Sequence, residues 1–199
     1  MKIPFEAELS LGFRHNFVEE TRSVSGVVDL DENEISALVA LVKDNQGETD
    51  VNKLGLEEKL PEVYRKLDEA YYNAFSAANY RNWLMVGHEN GYFERPEGFM
   101  ESMEEAGLYK FEVDLDKFRE DMGLDEDDEI DEDELEEYIE YEKDDAFDEW
   151  LSNYYESLDE DGKVKFIETY YGDVMDQGSP GDFDYAVELP QAIVDLANS

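Results

Sequence analysis

Carboxylates are the chemically active side chains this chain offers in number. Between Asp125 and Glu149 they crowd, 17 of them with one base, Lys143, in 25 residues. Groups so close and so alike are not tuned as an acid and a base, which needs two environments that push the pKa values apart. What they can do is attract cations, as free ions or as the basic surface of another macromolecule. Leu135, Tyr138 and Ile139 fall on one face at helical spacing, and Ala146 and Trp150 return to it. The run therefore reads as a packed helix and not as a solvated tail. Asp131 with Glu134 three residues on is a capping-box-like start. At 100° per residue, Asp133, Glu137, Glu140, Asp144 and Asp148 lie opposite Leu135 and are the expected partner-binding residues. Glu142 sits inside the apolar stripe, while Phe147 and Leu151 displace it sideways. That displacement predicts a break near Lys143–Asp145 and a second helix through Tyr154 or Tyr155, giving an acidic hairpin or bent helix. At about 1.5 Å per residue the 25 residues span roughly 37 Å, so 16 net charges come one per roughly 2.3 Å. Duplex DNA carries one per about 1.7 Å of axis, a comparable density.

A second spacing suggests a metal. An EF-hand loop takes oxygen ligands at positions 1, 3 and 5, glycine at 6 and glutamate at 12. In Ser157 to Glu168, SLDEDGKVKFIE, the residues Asp159, Asp161, Gly162 and Glu168 meet four of these, with Val164 as the aliphatic between and Ser157 at the first ligand. Gly123 to Glu134 echoes the pattern through Asp125, Asp127, Ile130 and Glu134, with Asp128 in place of the glycine and Gly123 at the first ligand. The alternative is that these acids are helix caps and solvent-facing charges, and no cofactor or resident metal is assigned. The two histidines stand apart, His15 by an expected strand end and His88 before Glu89 at a break in the pattern. No glycine-rich phosphate loop, HExxH or GxSxG occurs, so an enzyme is not expected.

Composition sets the outer bounds. The 199 residues carry 55 acids and 16 bases, a net −39, and residues 101–199 hold −30 of it. General adaptation to salt would acidify both halves alike. Such a charge excludes direct binding to nucleic acid or to an anionic membrane. A hydrophobic fraction of 41% with 13% aromatics supplies a core and argues against wholesale disorder. Without cysteine, disulfide scaffolds and thiolate chemistry are absent. MKIPFEAELSL lacks the apolar core of a signal peptide and no stretch has the apolar length of a membrane span. A cytoplasmic location is the expectation.

The elements that must position these residues follow from periodicity. Phe5, Ala7, Leu9, Leu11 and Phe13 alternate as a strand, and a second runs from about Ser23 to Leu30, pairing antiparallel through a link near Asn16–Arg22. Asp31 and Glu34 cap a helix with the stripe Ile35, Leu38, Val39, Leu41 and Val42. Asp44–Gly55 reads as a loop, Leu56 opens a long helical stretch with Pro61 in a first turn, and His88–Gly98 breaks it. Residues 99–107 form a short helix, Phe111, Val113 and Leu115 a third strand, and Asp116 to Met122 a helix stopped by Gly123. Beyond the acidic run, Val164, Ile167, Tyr170, Tyr171 and Val174 suggest a helix, Phe183 to Leu189 a last strand and Pro190 a final helix. Val28-Asp29-Leu30-Asp31 returns as Val113-Asp114-Leu115-Asp116, which a strand running into a capped helix explains without duplication.

The expected fold is α+β and helix-dominated, with a small antiparallel sheet and an acidic helical C-terminal half. The halves divide as 1–95 and 96–199, or form one domain. The expected function is that of an acidic interaction protein whose partner is a basic, nucleic-acid-binding protein that it occupies or blocks. In charge and size class the chain resembles DNA-mimic inhibitors such as antirestriction proteins, and no motif identifies one family. The alternatives are the calcium module at Asp159, Asp161 and Glu168, and a soluble domain whose charge has no specific role.

Overall fold

A computed structural model describes residues 1–12, 19–125 and 128–199, and the side chains of all of these but 10–12 and 19–20. Phe13, His15, Asn16 and Asp127 lie outside the described residues. Strands β1 (Lys2–Gly12) and β2 (Glu19–Asp29) come first. Helices α1 (Glu32–Asp44), α2 (Val51–Leu54), α3 (Leu56–Lys59), α4 (Pro61–Glu89), α5 (Phe99–Glu105) and α6 (Leu115–Met122) follow. Then come α7 (Glu132–Ser157), α8 (Glu160–Tyr170), a single 3-10 turn at Val174–Asp176, and α9 (Gln191–Asn198). The fold is α+β and helix-dominated, as the sequence predicts. Contacts gather the chain into two compact units, the first made of Met1–Leu84 with Ser179–Ser199 and the second of Met85–Gly178. The C-terminal segment thus belongs with the hairpin and not with the acidic stretch that precedes it.

In the first unit the strands pair antiparallel from Lys2 opposite Asp29 to Gly12 opposite Glu19. Ile3, Phe5, Leu9, Val24 and Val28 are buried on one face, while Lys2, Glu6, Glu8, Ser23 and Val27 are exposed on the other. The Phe5 ring stacks on Tyr71 at 4.0 Å between centroids and lies over Gly26, its partner across the ladder. Asp31 closes a full capping box with Glu34, and Lys66 holds the Glu34 carboxylate at 2.8 Å. Leu60, forced out of the helical region by the proline behind it, separates α3 from an α4 that begins at Pro61. The segment expected as a loop contains α2, because Asp50 caps it by accepting from Asn52 and Lys53. Leu189, Ile193 and Ala197 close the core against Ile3, Leu38 and Val42.

Two expected strands do not form. Phe111, Val113, Phe183, Tyr185 and Val187 are half-buried and the residues between them exposed, so the alternation is real, but no ladder forms among the described residues. A period of two reports which side is buried and not whether a strand lies alongside. Near the first, Asp114 accepts from the backbone N–H of Asp116 and Lys117 and starts α6 at Leu115. In the other copy of the Val-Asp-Leu-Asp echo the cap is the second aspartate, Asp31, so the likeness is not structural. The segment 183–189 is tied to α4 by side chains instead. Asn79 Nδ2 donates to the Gly181 carbonyl at 2.8 Å, and the Tyr185 hydroxyl donates to Asp68 at 2.7 Å.

The second unit is an aromatic cluster. Phe99, Tyr109, Phe118, Phe147, Tyr155, Phe166 and Tyr171 are buried, with ring contacts such as Phe99 to Phe147 at 5.9 Å and Tyr109 to Phe147 at 5.0 Å. The predicted break in the acidic helix is absent, since α7 runs unbroken for 26 residues. Its buried face rotates instead. Steps of four residues drift by about 40° each on a 3.6-residue helix, carrying contact from Leu135 and Ile139 round to Phe147, Leu151 and Tyr155. The first turns meet α6, where Tyr138 packs on Phe118 at 5.0 Å. The last turns meet α8, where Tyr154 packs on Phe166 at 5.6 Å.

The clearest test of this packing is Gly26. A Cβ there would stand 2.3 Å from Phe5 Cζ, so Gly26→Ala must displace a ring locked between the sheet and Tyr71. Forcing extra atoms into a packed site costs about 1–3 kcal/mol, whereas exposed Val27→Ala should stay within about 0.5 kcal/mol. Urea melts of the two variants check the contrast.

Candidate acidic interaction surface

The second unit carries 35 of the acidic and seven of the basic side chains, a net −28 over 94 residues. Most of its bases pair within the unit. Lys117 pairs with half-buried Glu142 at 2.5 Å, Lys143 with Glu104 at 3.0 Å and Lys110 with Glu112. Arg119 Nη1 donates to the carbonyls of Asp125 and Asp128. Glu142, which the sequence places inside the apolar stripe, is there because Lys117 neutralises it.

Asp133, Glu137, Glu140, Asp144 and Asp148 are all exposed on α7, as their angular positions predict. The structure divides them. Asp148 is bound by Arg95 at 2.5 Å. The other four make no ion pair among the described residues. They end where the buried face of α7 rotates onto their side at Phe147 and Leu151. Because α7 begins at Glu132, capped by Asp131, the acids before it do not share its axis. On the helix itself 12 acids and one base extend over about 39 Å. That is one net charge per roughly 3.5 Å, half the duplex density and close to the 3.4 Å of a single DNA strand. Tyr141 is 68% exposed beside this row, whereas Tyr138, Tyr154 and Tyr170 are half-buried and Tyr155 and Tyr171 buried. Sequence spacing does not single out Tyr141.

The residues of the calcium-loop reading lie at the start of α8 and within it. Asp159 is the N-cap of α8 and accepts from the Gly162 N–H at 2.8 Å. Asp161, Val164 and Glu168 are inside that helix. Seven residues of helix hold Asp161 and Glu168 about 10 Å apart along the axis, so in this helix they do not converge on one point. In the earlier match Gly123 is the left-handed C-cap of α6 and Asp131 and Glu134 belong to the start of α7. Among the described residues no group of three acids or histidines is placed to hold a metal.

Around Asp148 lies a cleft of about 480 Å³, lined by His88, Phe93, Arg95, Tyr155, Lys163 and Tyr171 among others. His88 stacks on Tyr155 at 3.8 Å and meets the Tyr171 edge at 5.1 Å. Lys163 Nζ lies 4.8 Å from the Tyr155 ring centre. Among the described residues, neither ring nitrogen of His88 nor the Tyr155 hydroxyl has a hydrogen-bond partner. Burial first, and then the cations Arg95 and Lys163, push His88 down to about 4. It is a neutral aromatic packing group with no carboxylate orienting it. The sequence gives no sign of this, because His88 and Tyr155 meet only in the fold.

Compared with protein-family models, curated proteins and solved structures, the chain matches none. No described helix is long and apolar enough to cross a membrane.

His88 gives a pH prediction whose sign is fixed. Its folded pKa lies below the unfolded value near 6.5, so the neutral ring contributes its full stability above about pH 6.5. That contribution is lost as pH falls towards 4. Between pH 7 and 5 the loss is about 2 kcal/mol, before most carboxylates titrate. Glu89 and Asp148 face the same ring cluster, so the measurement is a difference. His88→Phe, a ring without the charge, should fall less in melting temperature than the parent over that range.

Proposed function

We propose that this is an acidic interaction protein that presents one strand's worth of negative charge to a basic, nucleic-acid-binding protein and occupies its binding surface. The observation that carries the reading is the row Asp133, Glu137, Glu140 and Asp144, exposed on an unbroken helix while the bases nearby pair elsewhere. The row is locally unfavourable. Asp133 with Glu137 and Glu140 with Asp144 are like charges at i,i+4, and Glu137 with Glu140 at i,i+3. Each such pair costs a helix about 0.2–0.5 kcal/mol. A surface that keeps an avoidable repulsion is where a partner is to be sought. Asp148 contributes less, because Arg95 already neutralises it.

The test is displacement of a fluorescent DNA duplex from a panel of purified DNA-binding proteins. The parent chain should displace the duplex from at least one of them at low salt and lose the effect by about 0.5 M, where screening is nearly complete. The variant D133N/E137Q/E140Q/D144N should need at least tenfold more protein, while its melting temperature at low salt rises through lost repulsion. Displacement by the variant at the parent's concentration would reduce the charge to a solubility device. So would failure against the whole panel.

A further inference from the structure

Three rings at the surface of the first unit form a figure that neither the acidic helix nor its proposed role uses. Tyr72, on α4 and 51% exposed, stands 5.8 Å from Phe183 and 6.0 Å from Tyr185 between centroids. Phe183 and Tyr185 are 6.1 Å apart. The centroids make a nearly equilateral triangle, and the planes tilt by 33°, 61° and 40° against one another. A point about 3 Å above the triangle is about 4.6 Å from every centroid, within the roughly 6 Å reach of a cation–π contact with each ring that turns its face to it.

The rings are held in place from behind. Tyr185 rests on buried Phe75 at 5.8 Å, its hydroxyl donates to Asp68, and Asn79 anchors the segment at Gly181. Asp68 is one helical turn from Tyr72 on α4 and leaves the triangle beside a carboxylate. Asp182 and Asp184, both exposed, flank Phe183. Burial, and then the Asp68 hydrogen bond, push the Tyr185 hydroxyl up to about 12, so its ring stays neutral at any physiological pH.

We infer that the Tyr72–Phe183–Tyr185 triangle binds an organic cation, and that its occupant is an arginine side chain of a basic polypeptide. Charge complementarity selects a cation. Asp68 favours a cation that carries N–H, and among these a planar, weakly hydrated guanidinium can stack on a ring and still donate to the carboxylate, which a compact, strongly hydrated ammonium does less well. A quaternary ammonium has no N–H to give. The site lies wholly in the first unit and does not depend on the α7 row.

The experiment is a titration of the full chain with N-acetylarginine amide, against sodium chloride at equal ionic strength, followed by the ring 1H–13C signals of Tyr72, Phe183 and Tyr185. Saturable shifts of these three are expected with the arginine probe. The midpoint should weaken at least fivefold in Tyr72→Ala, whose side chain is exposed and whose loss leaves the core intact. Tyr141→Ala, altering the exposed tyrosine of α7, should keep the parent midpoint. Equal shifts from sodium chloride, or a parent-like midpoint in Tyr72→Ala, would overturn the site. Tetramethylammonium binding as tightly as the arginine probe would overturn the choice of arginine.

Discussion

With 35 carboxylate side chains among its 94 residues, the acidic unit has few positions from which to build a core, and those facing outward repel one another. A small number of inward side chains must therefore each bury a great deal. Aromatic rings do this, at about 150–250 Å² apiece, and the unit's core is accordingly a chain of rings from Tyr109 through Phe147 and Phe99 to Tyr171 and Phe166. The same scarcity explains why α7 rotates its buried face. A helix with so few apolar positions serves α6 with its first turns and α8 with its last, and an unbroken helix keeps every backbone group paired between them.

Cations are scarcer still, and their placement decides where the negative field remains. Lys117 goes to Glu142, the one acid of α7 drawn into the apolar stripe, and Arg95 to Asp148 beside the half-buried His88. Glu142 is a half-buried carboxylate, where an unpaired charge would cost most, whereas Asp148 is exposed and its pair is a surface one. Nothing is spent on Asp133, Glu137, Glu140 and Asp144. Surface ion pairs are worth little to stability, so leaving these four bare costs the fold only their mutual repulsion and leaves their charge facing solvent.

Much of this was legible before any coordinates. The hairpin was announced by alternation in Phe5, Ala7 and Leu9, the α1 start by Asp31 with Glu34, and the α4 start by Pro61, because each depends on chemistry within a few residues. The exposure of the five α7 acids followed from angle alone. What could not be read depends on neighbours distant in sequence. The stripe displaced at Phe147 signals a break if α7 has one packing partner and a rotation if it has two. Alternation at 183–189 fits a strand equally well as a segment pinned by Asn79 and Asp68. Asp159, Asp161 and Glu168 satisfy an ion-binding spacing and an α-helix at once, and in the fold Asp159 caps the helix that holds the other two. The pairing of Asp148 with Arg95, 53 residues away, and the meeting of Tyr72 with Phe183 left no local trace.

The two units would attract positive charge by different physics, and salt separates them. A row of exposed carboxylates acts through a field that decays over about 8 Å at physiological ionic strength. It governs how fast a basic partner arrives more than how long it stays. A ring triangle acts at contact, through a quadrupole that counterions barely screen, and it strengthens as water is excluded. A partner that used the α7 row alone would be released by modest salt. An arginine seated on Tyr72, Phe183 and Tyr185 would instead be held with a salt-resistant affinity, lost with the rings and not with the acids.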